Sequence, residues 1–266
     1  MAHFPAFAIF RPGDRRFVAI RTERTLATTA DRVLSLLALF SGEKWQWTVE
    51  EAALALGLPT STTYRYFRSL ASAELISSQL TGSYVLGSAV CELDRSMRLH
   101  DPFINAARNE MVSLVERHGE VIILLARLYK DKVICVHREG TNLEASGYER
   151  GRPMPLDRGA ASKVILANLT TRQLRKLSGS VDHGRAADIG ELRQELREIR
   201  AKGYSVTRGE IDPTKVGISV PVFSNSQHLE GSLSFVIKAG EPVNEDALVQ
   251  ALIRSRKAIE ANLLLA

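Results

Sequence analysis

The sequence predicts an N-terminal winged helix-turn-helix joined by a linker helix to a larger α+β domain. Three observations predict it. Three helical stripes lie between Thr28 and Ala73, the second and third separated only by Gly57-Leu58-Pro59. The period then switches to that of a hairpin over residues 75 to 87. Beyond Asp101-Pro102, apolar strand-like runs alternate with amphipathic helices to the end of the chain. A length of 266 residues is enough for two domains, each with its own core.

In "TTADRVLSLLALF", Val33, Leu34, Leu37 and Phe40 are read as one stripe, closed by Ser41-Gly42. "TVEEAALAL" starts a second helix: Thr48 and Glu51 have capping-box spacing, and Val49, Ala52, Ala53 and Leu56 recur at helical intervals. Gly57 can take the left-handed conformation that ends this helix, and Pro59 suits the first turn of the next. In the third helix Thr63, Tyr66, Phe67 and Leu70 form the buried stripe. That leaves Ser61, Arg65, Arg68 and Ser72 outward, flanked by Thr62 and Tyr64. "LISSQLTGSYVLG" reads as two short strands about a Thr81-Gly82 turn. Residues 25–87 are therefore a winged helix-turn-helix domain, preceded by a basic tail over residues 1–24. "SAVCELDRSMRL", with Val90, Leu93 and Met97 in phase, makes residues 88–101 a linker helix.

Residues 102–266 form the α+β domain. "DPFINAARNEMVSLVERHG" is an amphipathic helix, and "VIILLARLY" and "KVICVHRE" are strands joined by Lys130-Asp131. "SKVILANL" and "IGELRQELREIRAKG" are helices, "VGISVPVF" and "EGSLSFVI" are strands, and a helix from Asn244 closes the chain. The expected sheet is mixed or antiparallel.

Composition removes several function classes. Two cysteines, Cys91 and Cys135, exclude a disulfide scaffold and a cysteine-based zinc site. No apolar run approaches the roughly 20 residues of a membrane span, and the N-terminus lacks the pattern of a secretory signal. The expected location is the cytoplasm. A net charge of +5 permits a polyanionic partner but is spread along the chain. The tail segment "RPGDRRFVAIRTER" carries five arginines against Asp14 and Glu23. It is either a disordered extension or an arm that touches phosphates.

The strongest chemical signal is the third helix. From Ala52 to Ala73 there is no acidic residue, whereas an ordinary solvated helix mixes both signs. A helix of that kind suits the major groove of double-stranded DNA, where arginine reads guanine and hydroxyls meet phosphates or bases. The candidates are Ser61, Thr62, Tyr64, Arg65 and Arg68, with Arg65 most central, and Gln79, Thr81 and Ser83 on the wing. The wing residues fit turn chemistry equally well. Catalytic signals are poor: Ser162-Lys163 opens a helix, where adjacent residues do not face each other. No histidine pair has metal-ligand spacing, and no glycine-rich phosphate loop is present. No metal, cofactor or enzymatic activity is expected. Small residues in "RGAAS", "VGIS" and "GSLS" leave room for a ligand, or serve tight packing of a helix on a sheet.

The residues resemble the IclR family of bacterial transcriptional regulators over about residues 25 to 265. The likeness is carried by "LGLPTSTTYRYFRSL" with "GSYVLG", by "GRPMPLDRGAASKVILA", and by "GYSVTRGEIDPTKVGISVPVF". In the last block Gly203, Glu210, Ile218, Ser219, Val222 and Phe223 fit the family signature, while Thr207, Gly217 and Ser224 depart from it. The resemblance implies that the second domain is GAF-like and binds a small effector, often an organic or aromatic acid. The pocket positions it implies are Ala160, Ala161, Thr207, Gly217 and Ser234, with Met154 as a wall rather than a contact. Arg158 is implied either as a partner of an acidic effector or as half of a rim salt bridge. It further implies a homodimer or a dimer of dimers on pseudo-palindromic DNA. The reading is a ligand-responsive regulator of transcription. Its rivals are an enzyme on a small acid, using the winged helix as an interaction module, and a winged helix that binds protein.

Overall fold

The computed structural model of the chain describes residues 28–42, 44–141, 143, 147–177, 189–224, 228–240 and 244–265. The basic tail over residues 1–24 lies outside them. The chain divides into two compact units between Ser96 and Met97. The division falls inside the expected linker helix rather than at either of its ends.

In the first unit, α1 (Thr29–Leu39), α2 (Val49–Leu56) and α3 (Thr60–Ser72) follow the expected order. Thr48 and Glu51 close a capping box on α2, and Thr28 and Asp31 close a second one on α1. Gly57 takes φ 63°, ψ 34°, the left-handed conformation that only glycine adopts without strain. Pro59 sits one position earlier than expected, at the N-cap of α3. Strands β1 (Ile76–Ser78) and β2 (Tyr84–Leu86) pair antiparallel, and Trp47 exchanges both backbone hydrogen bonds with Tyr84, at 3.0 and 2.8 Å. Phe67 ties the parts together, 4.8 Å from the Tyr84 ring and 6.3 Å from that of Phe40.

The stripe expected on α1 is corrected at one position. Leu36 is fully buried and Leu34 is 63% exposed. Spacings of three and four from Phe40 select Leu37, Leu36 and Val33, which places Leu34 off the face. In a run as apolar as "LSLLALF" the phase is set by the core it meets.

Helix α4 (Ser88–His100) crosses the division, and none of its residues is buried. The second unit is built on a six-stranded sheet in the order β5-β4-β3-β8-β7-β6, antiparallel at every pairing. Its strands are β3 (Ile122–Tyr129), β4 (Lys132–Gly140), β5 (Pro153–Met154), β6 (Ser205–Arg208), β7 (Lys215–Phe223) and β8 (Leu229–Lys238). The short β5 and β6, and helix α7 (Thr171–Leu177), were not expected from periodicity. β5 and β6 are too short for alternation to register.

Alternation along the strands decides the two faces. Val216, Ile218, Val220 and Val222 pack with Leu233, Phe235 and Ile237 against α5 (Pro102–His118) and α9 (Glu245–Leu263). On the opposite face, α6 (Ala160–Ala167) and α8 (Ile189–Lys202) form a second cluster with Ala126, Val133 and Leu156. The even positions of β7 are branched and apolar; Gly217 and Ser219 between them face α6. A bulge between Leu125 and Ala126 shifts the β3–β4 register.

Candidate nucleic-acid interface and ligand cavity

Helix α3 buries Thr63, Tyr66, Phe67 and Leu70, so its outward face follows from the helical period. Ser61, Tyr64, Arg65, Arg68 and Ser72 are exposed, and Thr62 is half-buried beside them. The Thr63 hydroxyl donates to the Pro59 carbonyl at 3.1 Å, so it turns back into the helix. Arg65 and Arg68 stand one turn apart on a face with no carboxylate. Such a surface can give bidentate donors to base edges and single donors to phosphates.

The wing is braced from within. Gln79 N donates to Ser83 O at 2.7 Å, and Gly82 at φ +75° completes the turn. The Gln46 amide donates to the hydroxyl of Ser83 and, at 3.4 Å, to that of Thr81, and these hydroxyls lie 2.7 Å apart. Gln79 and Thr81 are exposed, whereas Ser83 is only 4% exposed. The expectation for Ser83 is corrected accordingly: its hydroxyl is used inside the wing. Gln46, which no motif singled out, does this bracing.

In the second unit, Met154, Ala160, Ala161, Thr207, Gly217 and Ser234 line one cavity, together with Leu124, Gly159, Glu210, Ile211, Asp212 and Lys215. The sheet brings them together because Thr207 pairs with Gly217, Ser219 with Ser234, and Ser234 with Leu124. A Cβ on Gly217 would stand 3.3 Å from both the Ala160 Cβ and the Thr207 Oγ1. The cavity's volume is about 30 Å³, the scale of one water molecule. Of the two roles open to Arg158 the structure shows the ion pair: it is not in the lining, and its guanidinium lies 3.6 Å from Asp157.

The anion-favouring start of α6 is already used by the chain itself. Glu210 accepts from Gly159 N at 2.8 Å and from the Lys163 ammonium at 2.7 Å. Lys163 is buried and also reaches Glu195 at 2.7 Å. Burial alone would lower its pKa; the hydrogen bonds and charges of Glu195 and Glu210 outweigh that and raise it. Lys163 is therefore a charged structural cation, and adjacent Ser162 is buried at 1% exposure with no hydrogen-bond partner for its hydroxyl among the described residues. The pair is not a nucleophile and base. Tyr148, also in the lining, has its pKa pushed up to about 12 by burial and then by the charge of Asp212. Ser234 of the lining shares a hydrogen bond at 2.8 Å with Ser219 behind it. Ser205 is paired opposite Ser219, so three serines cross adjacent strands on the α6 side. Among the described residues no group of three or more metal-ligating side chains is found, and no helix is long and apolar enough to cross a membrane.

Known proteins share this architecture. Over 211 residues the chain is 24% identical to the HTH-type transcriptional regulator KipR of Bacillus subtilis, covering 77% of this chain and 84% of that one. It is 25% identical over 213 residues to the HTH-type transcriptional repressor AllR of Klebsiella pneumoniae, covering 75% and 74%. Its fold is similar to that of an IclR homolog from Microbacterium hydrocarbonoxydans crystallised with 4-hydroxybenzoate, with TM-score 0.73, 23% identity, and 88% and 98% of the two chains covered. It is also similar to an IclR transcriptional regulator from Alicyclobacillus acidocaldarius, with TM-score 0.71, 24% identity, and 89% and 97% covered. Residues 29–79 match the IclR helix-turn-helix domain and residues 99–261 the bacterial transcriptional regulator IclR C-terminal domain. A reading helix without acids, a braced wing and a second domain that matches this family along nearly its whole length lead to one conclusion: the chain belongs to the IclR family of bacterial transcriptional regulators.

Proposed function

We propose that this regulator reads DNA through Ser61, Thr62, Tyr64, Arg65 and Arg68 of α3, and that a small organic or aromatic acid bound in the α6 cavity modulates the binding. The observation that carries the effector half is the convergence of six residues from five separate places in the chain on one cavity between α6 and the sheet. The 4-hydroxybenzoate held by the Microbacterium relative supports an aromatic acid as the class. At about 30 Å³ the cavity takes such a ligand only after α6 or the 209–212 loop gives way, so binding and movement are coupled.

Two copies acting together complete the reading. Leu93 and Met97 on α4 are 59% and 47% exposed, and Val90 lies in phase with them. This uncovered stripe supports a homodimer, or a dimer of dimers, on a pseudo-palindromic site. Its place of action is the cytoplasm, with the chromosome.

A thermal-shift screen of small carboxylates, beginning with 4-hydroxybenzoate, tests the effector half. A ligand that binds only the folded chain must raise its apparent stability. The expected outcome is a shift for an aromatic or short-chain acid that Ser234→Leu abolishes. A shift that survives this substitution would place the ligand elsewhere.

A further inference from the structure

Leu80 is fully exposed at the outermost turn of the wing, with a relative exposure of 109%. Turn tips are ordinarily built from Gly, Asn, Asp, Pro and Ser, so leucine here is not explained by turn chemistry. Nor is it held loosely. The turn is closed by Gln79 N on Ser83 O and Gly82 N on Gln79 O, at 2.7 and 3.0 Å. Gln46 clamps Thr81 and Ser83 from the side, and Trp47 pairs with Tyr84 at the base of the wing. The result is an apolar point on a rigid arm.

The charge pattern supplies the second observation. Between Glu74 and Glu92 the chain carries no charged residue, so the wing has no cation for a phosphate. Yet it flanks α3, whose exposed face is cationic and acid-free and draws the polyanion to this side of the unit. β1 follows α3 after a short turn, and Phe67 of α3 packs edge-on against Tyr84 of β2, so wing and reading helix form one body. A wing set beside a duplex without cations can still contribute through apolar contact. Leucine is among the side chains that enter the minor groove and part a base step, kinking the duplex.

We propose that Leu80 is a minor-groove wedge: it inserts beside each half-site read by α3, unstacks a base step there, and makes affinity depend on how easily that step deforms. The inference rests on the reading of α3 as the DNA-reading helix and adds a specificity determinant that makes no hydrogen bond to a base. It assigns a preference for a flexible pyrimidine–purine step at the position under the wing.

The test uses the full chain and a binding site selected by it from a random duplex pool. Enrichment of a site, lost on Arg65→Ala, tests the reading of α3 by itself. On the enriched site, Leu80→Ala is expected to weaken binding about tenfold, with the salt slope unchanged because no ion pair is removed. Leu80→Met should restore most of the affinity. A fluorescent adenine analogue placed in the flanking step should brighten with the wild type and stay dark with Leu80→Ala. Wild-type affinity for Leu80→Ala, or an analogue that stays dark with the wild type, would overturn the wedge while leaving the α3 reading intact. So would a Leu80→Ala defect that appears in self-association by sedimentation and not on DNA, which would make the tip a protein contact.

Discussion

Arg127 and Asp101 meet in a single ion pair, Nη1 to Oδ2 at 2.9 Å, at the point where α4 gives way to α5. Asp101 uses its other oxygen to cap α5, accepting from Phe103 N at 2.9 Å and Ile104 N at 3.4 Å. Arg127 donates in addition to the Glu230 carboxylate at 3.0 Å and the Glu230 carbonyl at 3.2 Å, and lies over the Phe103 ring at 4.8 Å. One guanidinium thus ties β3, β8 and the start of α5. Leu124 and Ser234, on the same two strands, line the cavity.

Arg127→Met is expected to destabilise the second unit by about 2 to 4 kcal/mol, because it strands two largely buried carboxylates while keeping most of the side chain's volume. Urea denaturation read by circular dichroism measures it. Arg127→Lys should fall between the two, since an ammonium retains the charge and loses the fork that serves both carboxylates. A midpoint unchanged in the methionine variant would show the ion pair to be worth no more than a surface pair.

On DNA, Arg65→Ala is expected to cost about 1 to 3 kcal/mol at the selected site and to blur preference for one base pair. Titrations on that site and on an unrelated duplex separate the possibilities. An equal loss on both, with a shallower salt slope, would assign Arg65 to a phosphate instead.

The pH dependence of stability follows from two histidines. Burial lowers the pKa of His118, helped by the charges of Arg117 and Arg254; burial also lowers that of His137, against the opposing hydrogen bond to the Glu139 carboxylate and its charge. Each is therefore neutral in the fold at pH values where the unfolded chain, near 6.5, begins to bind a proton. Their contribution is fully present above that value and is lost as pH falls through the lower folded-state values. Urea midpoints should accordingly decline from about pH 7 toward about pH 5, and His137→Gln should flatten the decline.

Two glycines make opposite predictions. A Cβ at Gly231 would run into the Ala126 carbonyl oxygen and the Phe103 ring, both fixed in the sheet and core. Gly231→Ala should cost more than about 3 kcal/mol or prevent folding. At Gly217 the nearest atoms are the ends of small side chains at 3.3 Å, so Gly217→Ala should change the thermal midpoint little. Gly217→Val would fill the cavity and should remove any stabilisation by a carboxylate found in the screen. Differential scanning fluorimetry with and without ligand distinguishes these outcomes.

Residues near one another in the chain revealed most of the first unit. The Thr48–Glu51 capping box, Gly57 with Pro59, and the stripe Thr63, Tyr66, Phe67, Leu70 are local relationships, and spacing alone displays them. Apolarity alone did not separate Leu34 from Leu36, since both are leucines; spacing from Phe40 and the core that α1 meets turn Leu36 inward. Ser83 was misplaced for a related reason: its burial depends on Gln46, thirty-seven positions earlier.

The cavity was legible by another route. Its small residues stood out in three blocks, and the family likeness joined them, but nothing in spacing set Thr207 beside Gly217 or Ser234 beside Leu124. Those neighbours exist only through strand pairing. The use of Glu210 as the anion at the start of α6, shared with Lys163, is likewise decided by tertiary structure. Periodicity and capping are properties of a few consecutive residues and so survive in the sequence; a charge's partner and a cavity's walls come from distant segments, and only folding brings them within reach.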